Sequence, residues 1–195
     1  MVFIDEIDRL GQRSDVSTDS GVSRRIFSML LEWLGKRDRK AILVATTNTP
    51  EQLDDAIMRP GRLDVKFPIL YPDADARRDI LRIHLDVVRK VPHEEIDYDV
   101  IVEKTRLWTG AELEDLVKRA TRVAFIAGAS VVGMPHFEEA LRSFNVGKNR
   151  DKELKKQLQL AQRFCDNLDF LKKVTAESGD IYSKADALLD EVESK

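Results

Sequence analysis

The 195-residue sequence is poor in the residues that build covalent or metal-bound frameworks. It has one cysteine, Cys165, and three histidines. A single cysteine excludes an internal disulfide network and fits a reducing compartment. There is no excess of charge of either sign: 32 basic residues face 35 acidic ones, for a formal net charge of -3. That balance gives no reason to expect nucleic acid or an anionic membrane surface as a partner. Long apolar runs are absent too. The longest stretch without charge, Val123 to Pro135, falls well short of the roughly 20 residues that a spanning helix needs. Met1-Val2-Phe3-Ile4 meets an acid at Asp5, so no signal peptide is expected and the expected setting is the cytoplasm. There are no internal repeats and no low-complexity segment. The length suffices for one good core or two small ones.

Two short apolar runs stand out. Val2-Phe3-Ile4 ends in Asp5-Glu6, and Ile42-Leu43-Val44-Ala45 ends in Thr46-Thr47-Asn48. Both read as strands of a parallel sheet, buried on both faces. Between them, Ser23 to Leu34 carries Ile26, Phe27, Leu30, Leu31 and Leu34 at helical spacing. Strand, helix, strand implies a right-handed crossover in an α/β layer. The polar residues fall at the C-terminal ends of the strands, where open α/β sheets place their ligands. Residues 11–22 are small, polar and bracketed by glycine, which predicts a mobile loop. Val65 to Leu70 is a third strand candidate, with Pro68 weakening its end.

From Pro72 the pattern turns helical. Asp73 and Asp75 precede a helix through Ile80, Leu81, Ile83, His84 and Leu85. Asp97 to Thr105 predicts a second. Thr109-Gly110-Ala111-Glu112 has the form of a capping box opening a third, to about Ala127. Pro135 opens a fourth. The predicted organisation is an α/β part at residues 1–70, a small all-α domain at 71–145, and a helical extension at 146–195. In the extension Leu154, Leu158, Ala161, Cys165 and Leu168 form an a/d seam of about two heptads. Its expected role is packing on its own domain. Ala185 to Val192 predicts a last short helix.

The chemistry gathers in the first part. An apolar strand can hold Asp5 rigidly at a sheet edge to orient Mg²⁺, and the adjoining Glu6 can polarise a water for attack on a γ-phosphate. Apolar strands ending in acids are common, so this element alone is weak. It is joined by Ala45-Thr46-Thr47-Asn48-Thr49-Pro50, then Leu53-Asp54-Asp55-Ala56, then Arg59-Pro60-Gly61-Arg62-Leu63-Asp64. With these residues the chain resembles the AAA subfamily of AAA+ ATPases. The stretch from Leu43 to Asp64 is similar to that family's second region of homology, and the resemblance covers Met1 to about Phe144. It implies a partial AAA+ P-loop α/β sheet followed by a helical lid.

The resemblance also implies roles. Asp5 matches the Walker B aspartate that holds Mg²⁺, Glu6 the catalytic glutamate, and Asn48 the sensor 1 residue. Arg59 and Arg62 match paired arginine fingers that reach a neighbouring subunit's nucleotide. His84 matches the lid histidine near adenine and ribose. Gly110 and Ala111 match the small residues that meet the nucleotide from the lid. Arg24 and Arg25 resemble basic residues near subunit contacts, and the 11–22 loop lies where a second pore loop would. No sensor 2 arginine is present, as in that subfamily. The implied cofactors are ATP and Mg²⁺. The implied assembly is a hexameric ring acting on a protein substrate, with neither nucleic acid nor membrane as a direct partner.

The 195 residues contain no Gly-x-x-x-x-Gly-Lys-Ser/Thr. Gly128 and Gly133 have the spacing, but Met134-Pro135 follow them where a lysine and a hydroxyl are needed. Three readings stay open: an excerpt of a longer ATPase, a chain that folds with another, or a chain whose helical part alone folds well. The function expected is an ATPase module coupled to protein remodelling or unfolding. The alternative is a non-catalytic chain of the same fold that lends Arg59 and Arg62 to a partner.

Overall fold

The structure is a computed structural model. It describes residues 1–11, 20–36, 38, 40–145, 147, 150–165, 167 and 171, with the side chains of residues 11, 20–24 and 151 excepted. Most of the 11–22 loop, the Arg24 side chain, Leu168 and the Ala185–Val192 helix lie outside the described residues. The chain divides into two compact units, Met1–Pro68 with Gln159–Asn167, and Ile69–Leu158 with Leu168–Lys195.

In the first unit, β1 (Val2–Ile4) and β2 (Leu43–Ala45) pair in parallel with Val2 opposite Leu43, Phe3 opposite Val44 and Ile4 opposite Ala45. Bonds from Val2 N to Ile42 O (2.8 Å) and Thr46 N to Ile4 O (3.0 Å) extend the ladder at both ends. The crossover holds α1 (Asp8–Gly11), which the sequence pattern did not show, and α2 (Ser20–Gly35). Phe27, Leu30, Leu31 and Leu34 follow i, i+3, i+4, i+7 spacing and pack with Ile4, Ile7, Leu43, Ala45 and Ile57. Ile26, assigned to that stripe by its spacing, is instead about half exposed.

Two strand expectations are corrected. Among the described residues, the sheet packs against the α2 cluster on one face. Phe3 and Val44, a registered pair pointing the other way, are 59% and 42% exposed. The apolar runs predicted burial on both faces, but the cluster that includes α2 holds only the Ile4, Leu43 and Ala45 side. Val65 to Leu70 forms no strand among the described residues, because no neighbouring strand supplies its ladder bonds. Val65 and Phe67 are left largely exposed.

The second unit is helical: α3 (Ala74–Arg82), a π-helical continuation (Ile83–Val88), α4 (Tyr98–Lys104), α5 (Gly110–Ile126), α6 (Met134–Arg142) and α7 (Arg150–Phe164), whose end belongs to the first unit. The caps are those the sequence dictates. Asp73 Oδ1 accepts from Ala76 N at 2.8 Å, and Asp97 Oδ1 from Asp99 N and Val100 N. Thr109 and Glu112 form the full reciprocal box. Leu81, Leu85, Ile101, Leu113, Leu116, Val117, Phe137 and Ala140 are fully buried in one core. Arg77, only 1% exposed, donates to Pro72 O (2.9 Å) and Val102 O (3.3 Å), joining the start of α3 to α4. In the extension, Leu154 and Leu158 pack with Leu70, Tyr71 and Leu107 rather than presenting a free seam. No helix among the described residues is long and apolar enough to cross a membrane.

Denaturant unfolding followed by circular dichroism checks this account of the helical unit. Thr109→Ala should cost about 1 kcal/mol through the lost cap, and Phe137→Ala about 3–5 kcal/mol through the cavity left in a closed core.

Candidate functional site

The parallel register carries both strands to a common edge, so the residues after Ile4 and Ala45 emerge side by side. Asp5 is exposed there and accepts a hydrogen bond at Oδ1 from the Thr46 hydroxyl. The same hydroxyl oxygen accepts the Glu6 N–H at 3.2 Å, and Thr46 O accepts the Ile7 N–H at 2.9 Å. Glu6 itself has φ 51, the left-handed region that a non-glycine residue seldom occupies. Three bonds from one threonine therefore hold the acid pair in a turn it would not adopt alone. The Glu6 carboxylate is partly exposed and meets Arg9 Nε at 2.8 Å, an i, i+3 pair that water screens.

Asn48 lies in the bend just past β2, exposed, on the same edge. Its neighbour Thr47 donates to Asp8 Oδ1 at 2.6 Å and accepts from Thr49 N at 3.0 Å. The Thr47 hydroxyl holds the Asp8 carboxyl below its ordinary range, against the opposing effect of burial. Asp8, only 8% exposed, was missed by the sequence reading. It follows an isoleucine and opens a helix too short for hydrophobic periodicity to reveal.

Arg59 and Arg62 sit on one turn but differ. Ala56 N bonds Asp54 Oδ1 (2.7 Å), Gly61 at φ 87 gives its N–H to Asp64 Oδ1 (2.5 Å), and fully buried Ile57 anchors the turn. Arg62 folds back, with Nη1 donating to Ala56 O at 2.5 Å, and is partly buried. Arg59 is exposed, and among the described residues its guanidinium has no hydrogen-bond or salt-bridge partner.

In the helical unit, His84 is half-buried at the second position of the π-helical turn, a wide turn often found at functional sites. Its Nδ1 is buried without a hydrogen-bond partner. Gly110 begins α5 and faces Ile80, which would lie 3.8 Å from an added Cβ. Ala111, next on α5, is exposed. This helix tip is braced from α7: Arg150 donates to Leu107 O and pairs with Glu112. Leu107 has φ 60, so the brace secures a strained residue just ahead of the cap.

Residues 1–71 match the family described as "ATPase family associated with various cellular activities (AAA)". The chain belongs to the AAA family. It is 35% identical over 156 residues to the "ATP-dependent zinc metalloprotease YME1L" of Drosophila melanogaster, covering 79% of this chain and 21% of that protein. It is 38% identical over 154 residues to the "ATP-dependent zinc metalloprotease FtsH 3" of Petrotoga mobilis, covering 77% and 24%. It is 36% identical over 153 residues to the "26S proteasome regulatory subunit 10B homolog A" of Arabidopsis thaliana, covering 76% and 38%. The AAA chain thus spans between a fifth and two fifths of these relatives' lengths.

The donors of the AAA edge suit Mg²⁺, which takes one or two carboxylates and keeps waters and phosphate oxygens for its other positions. They do not suit a closed transition-metal site. Among the described residues no group of three or more His, Cys, Asp or Glu is placed to hold a metal. The zinc in two relatives' names has no His-Glu-x-x-His counterpart in these residues, since His93-Glu94-Glu95-Ile96 is followed by Asp97.

The Glu112 brace gives a pH test. Partial burial raises its pKa, but bonds from Arg150 and Thr109 outweigh this and lower it from the ordinary 4.5. Its stabilisation is therefore present above pH 4.5 and lost as pH falls through the lower native value. Thermal unfolding should fall with acid more steeply in the parent chain than in Glu112→Gln.

Proposed function

We propose that the edge formed by Asp5, Glu6 and Asn48 is the hydrolysis side of an ATP site. The activity would be ATP turnover coupled to remodelling or unfolding a protein substrate. The carrying observation is the parallel register of β1 and β2, with Thr46 bonded to both acids, which sets two carboxylates and one neutral amide on one exposed edge. The names of the relatives, ATP-dependent proteases and a proteasome regulatory subunit, support the same reading.

In this reading Asp5 holds Mg²⁺ with Thr46 orienting its carboxylate, and the ion supplies charge neutralisation to the phosphates when bound. Glu6 takes the proton of the attacking water at its carboxylate. Breaking its surface pair with Arg9 costs little, so the carboxylate is available. Asn48 orients that water or a γ-phosphate oxygen without adding charge. His84, Gly110 and Ala111 face the base and sugar from the lid. Gly110 and Ala111 let the nucleotide approach the positive end of α5. Arg59 and Arg62 act on the nucleotide of a neighbouring subunit in a hexameric ring, offsetting transition-state charge. Arg59 is already free to reach. Arg62 must first exchange its bond to Ala56 O.

Two measurements test this in the ATP-hydrolysing protein that carries the chain. Glu6→Gln should retain ATP and lose turnover, because the amide keeps the shape and removes the base; near-normal hydrolysis ends the assignment. For Arg59, one subunit carries Arg59→Ala and another a disabled phosphate site. Each alone should be nearly inactive, with a loss of about 10³–10⁵ where such fingers act, and mixed rings should regain activity. Rings that form but stay inactive refute action in trans. Stimulation of the Arg59→Ala subunit by the 195-residue chain alone would favour a non-catalytic partner.

A further inference from the structure

We propose that Asp8 is a positioning residue that locks the acid loop to the Asn48 bend through the Thr47 hydroxyl. Its catalytic consequence rests on the ATPase reading above; the lock itself does not. Among the described residues Asp8 is the one buried acid. A carboxylate is shielded from water at high cost unless a strong donor meets it. Thr47 Oγ1 is that donor, at 2.6 Å. The hydroxyl has one hydrogen and spends it on Asp8, so its lone pair takes the Thr49 N–H at 3.0 Å. The relay runs in one direction, from Thr49 N–H through the Thr47 hydroxyl to the Asp8 carboxylate.

Asn48 lies between the two residues this relay holds. On the strand side, Thr46 holds Asp5, the Glu6 N–H and the Ile7 N–H. Two adjacent threonines of one strand end therefore grip the other strand's loop at consecutive residues from Asp5 to Asp8. The first grip orients the acids. The second ties the bend bearing Asn48 to the same loop, so Glu6 and Asn48 keep one separation. Asp8 is buried and its Oδ1 is occupied, so it touches no reactant. It acts through Thr47, and the lowered pKa of Asp8 keeps the charged acceptor in place across the neutral range.

The test compares Thr47→Val, Thr47→Ser and Asp8→Asn. In the 195-residue chain, amide hydrogen exchange of Thr49 should quicken by about tenfold or more in Thr47→Val and stay near wild type in Thr47→Ser, with the α5 amides unchanged in both. Unchanged Thr49 exchange in Thr47→Val overturns the lock. Equal acceleration throughout α5 overturns it as well, since that marks general destabilisation. In the ATP-hydrolysing protein, Thr47→Val and Asp8→Asn should lower kcat by about tenfold with KM within about twofold of wild type. Thr47→Ser should rescue turnover, and combining Thr47→Val with Asp8→Asn should add little to either. A raised KM with kcat kept, or fully additive losses, overturns the positioning role. If the parent protein hydrolyses no ATP, the ATPase reading fails while the exchange result still decides the lock.

Discussion

Everything proposed for this chain depends on how the end of β2 grips the loop after β1. Glu6 sits at φ 51, a conformation that costs roughly 1–3 kcal/mol for a residue with a side chain. It persists because Thr46 offers a hydroxyl and a carbonyl to three successive residues. The parallel register sets this up by placing Ile4 opposite Ala45, so that Asp5 and Thr46 leave the sheet together. A one-residue slip would turn each side chain to the other face and part the acids from Thr46. The packing of Ile4 and Leu43 against buried Ile7, Phe27 and Ile57 prevents that slip. Core packing thus fixes register, register fixes the grip, and the grip aims the carboxylates.

The helical unit solves a similar problem by other means. Its candidate nucleotide-facing residues lie at a helix start and at a wide helical turn, where backbone geometry matters more than side-chain reach. The Thr109–Glu112 box ends the approach to α5, and Arg150 holds the strained Leu107 ahead of it. Arg77, buried in the unit, gives its two terminal guanidinium nitrogens to the backbone carbonyls of Pro72 and Val102. The tip carrying Gly110 and Ala111 is thereby set by bonds drawn from α5 itself and from α7.

Local signals in the sequence were legible and non-local ones were not. Asp73, Asp97 and Thr109 cap helices because capping is decided within about four residues. The strand, helix, strand order and the polar strand ends follow from short apolar runs, as does the placement of Asp5, Glu6 and Asn48 on one edge. The Val65–Leu70 run looks like a strand locally, yet a strand exists only through a neighbour, and none pairs with it among the described residues. Sheet coverage failed for the same reason: the run Val2-Phe3-Ile4 cannot tell which of its faces meets a helix. Asp8, Arg77 and Arg150 draw their importance from partners 39, 25 and 43 residues away, beyond any spacing rule. The difference between Arg59 and Arg62 likewise arises from the fold of the turn, which returns one guanidinium to Ala56 O.

The central claim is that the edge of Asp5, Glu6 and Asn48 faces the terminal phosphate of ATP. The most direct measurement is a density map of this protein with magnesium and a non-hydrolysable ATP analogue. The account predicts ordered metal and terminal-phosphate density beside Asp5 and Glu6, with the Asn48 amide toward the phosphate or its attacking water. An ordered analogue elsewhere, with this edge holding solvent alone, would contradict it.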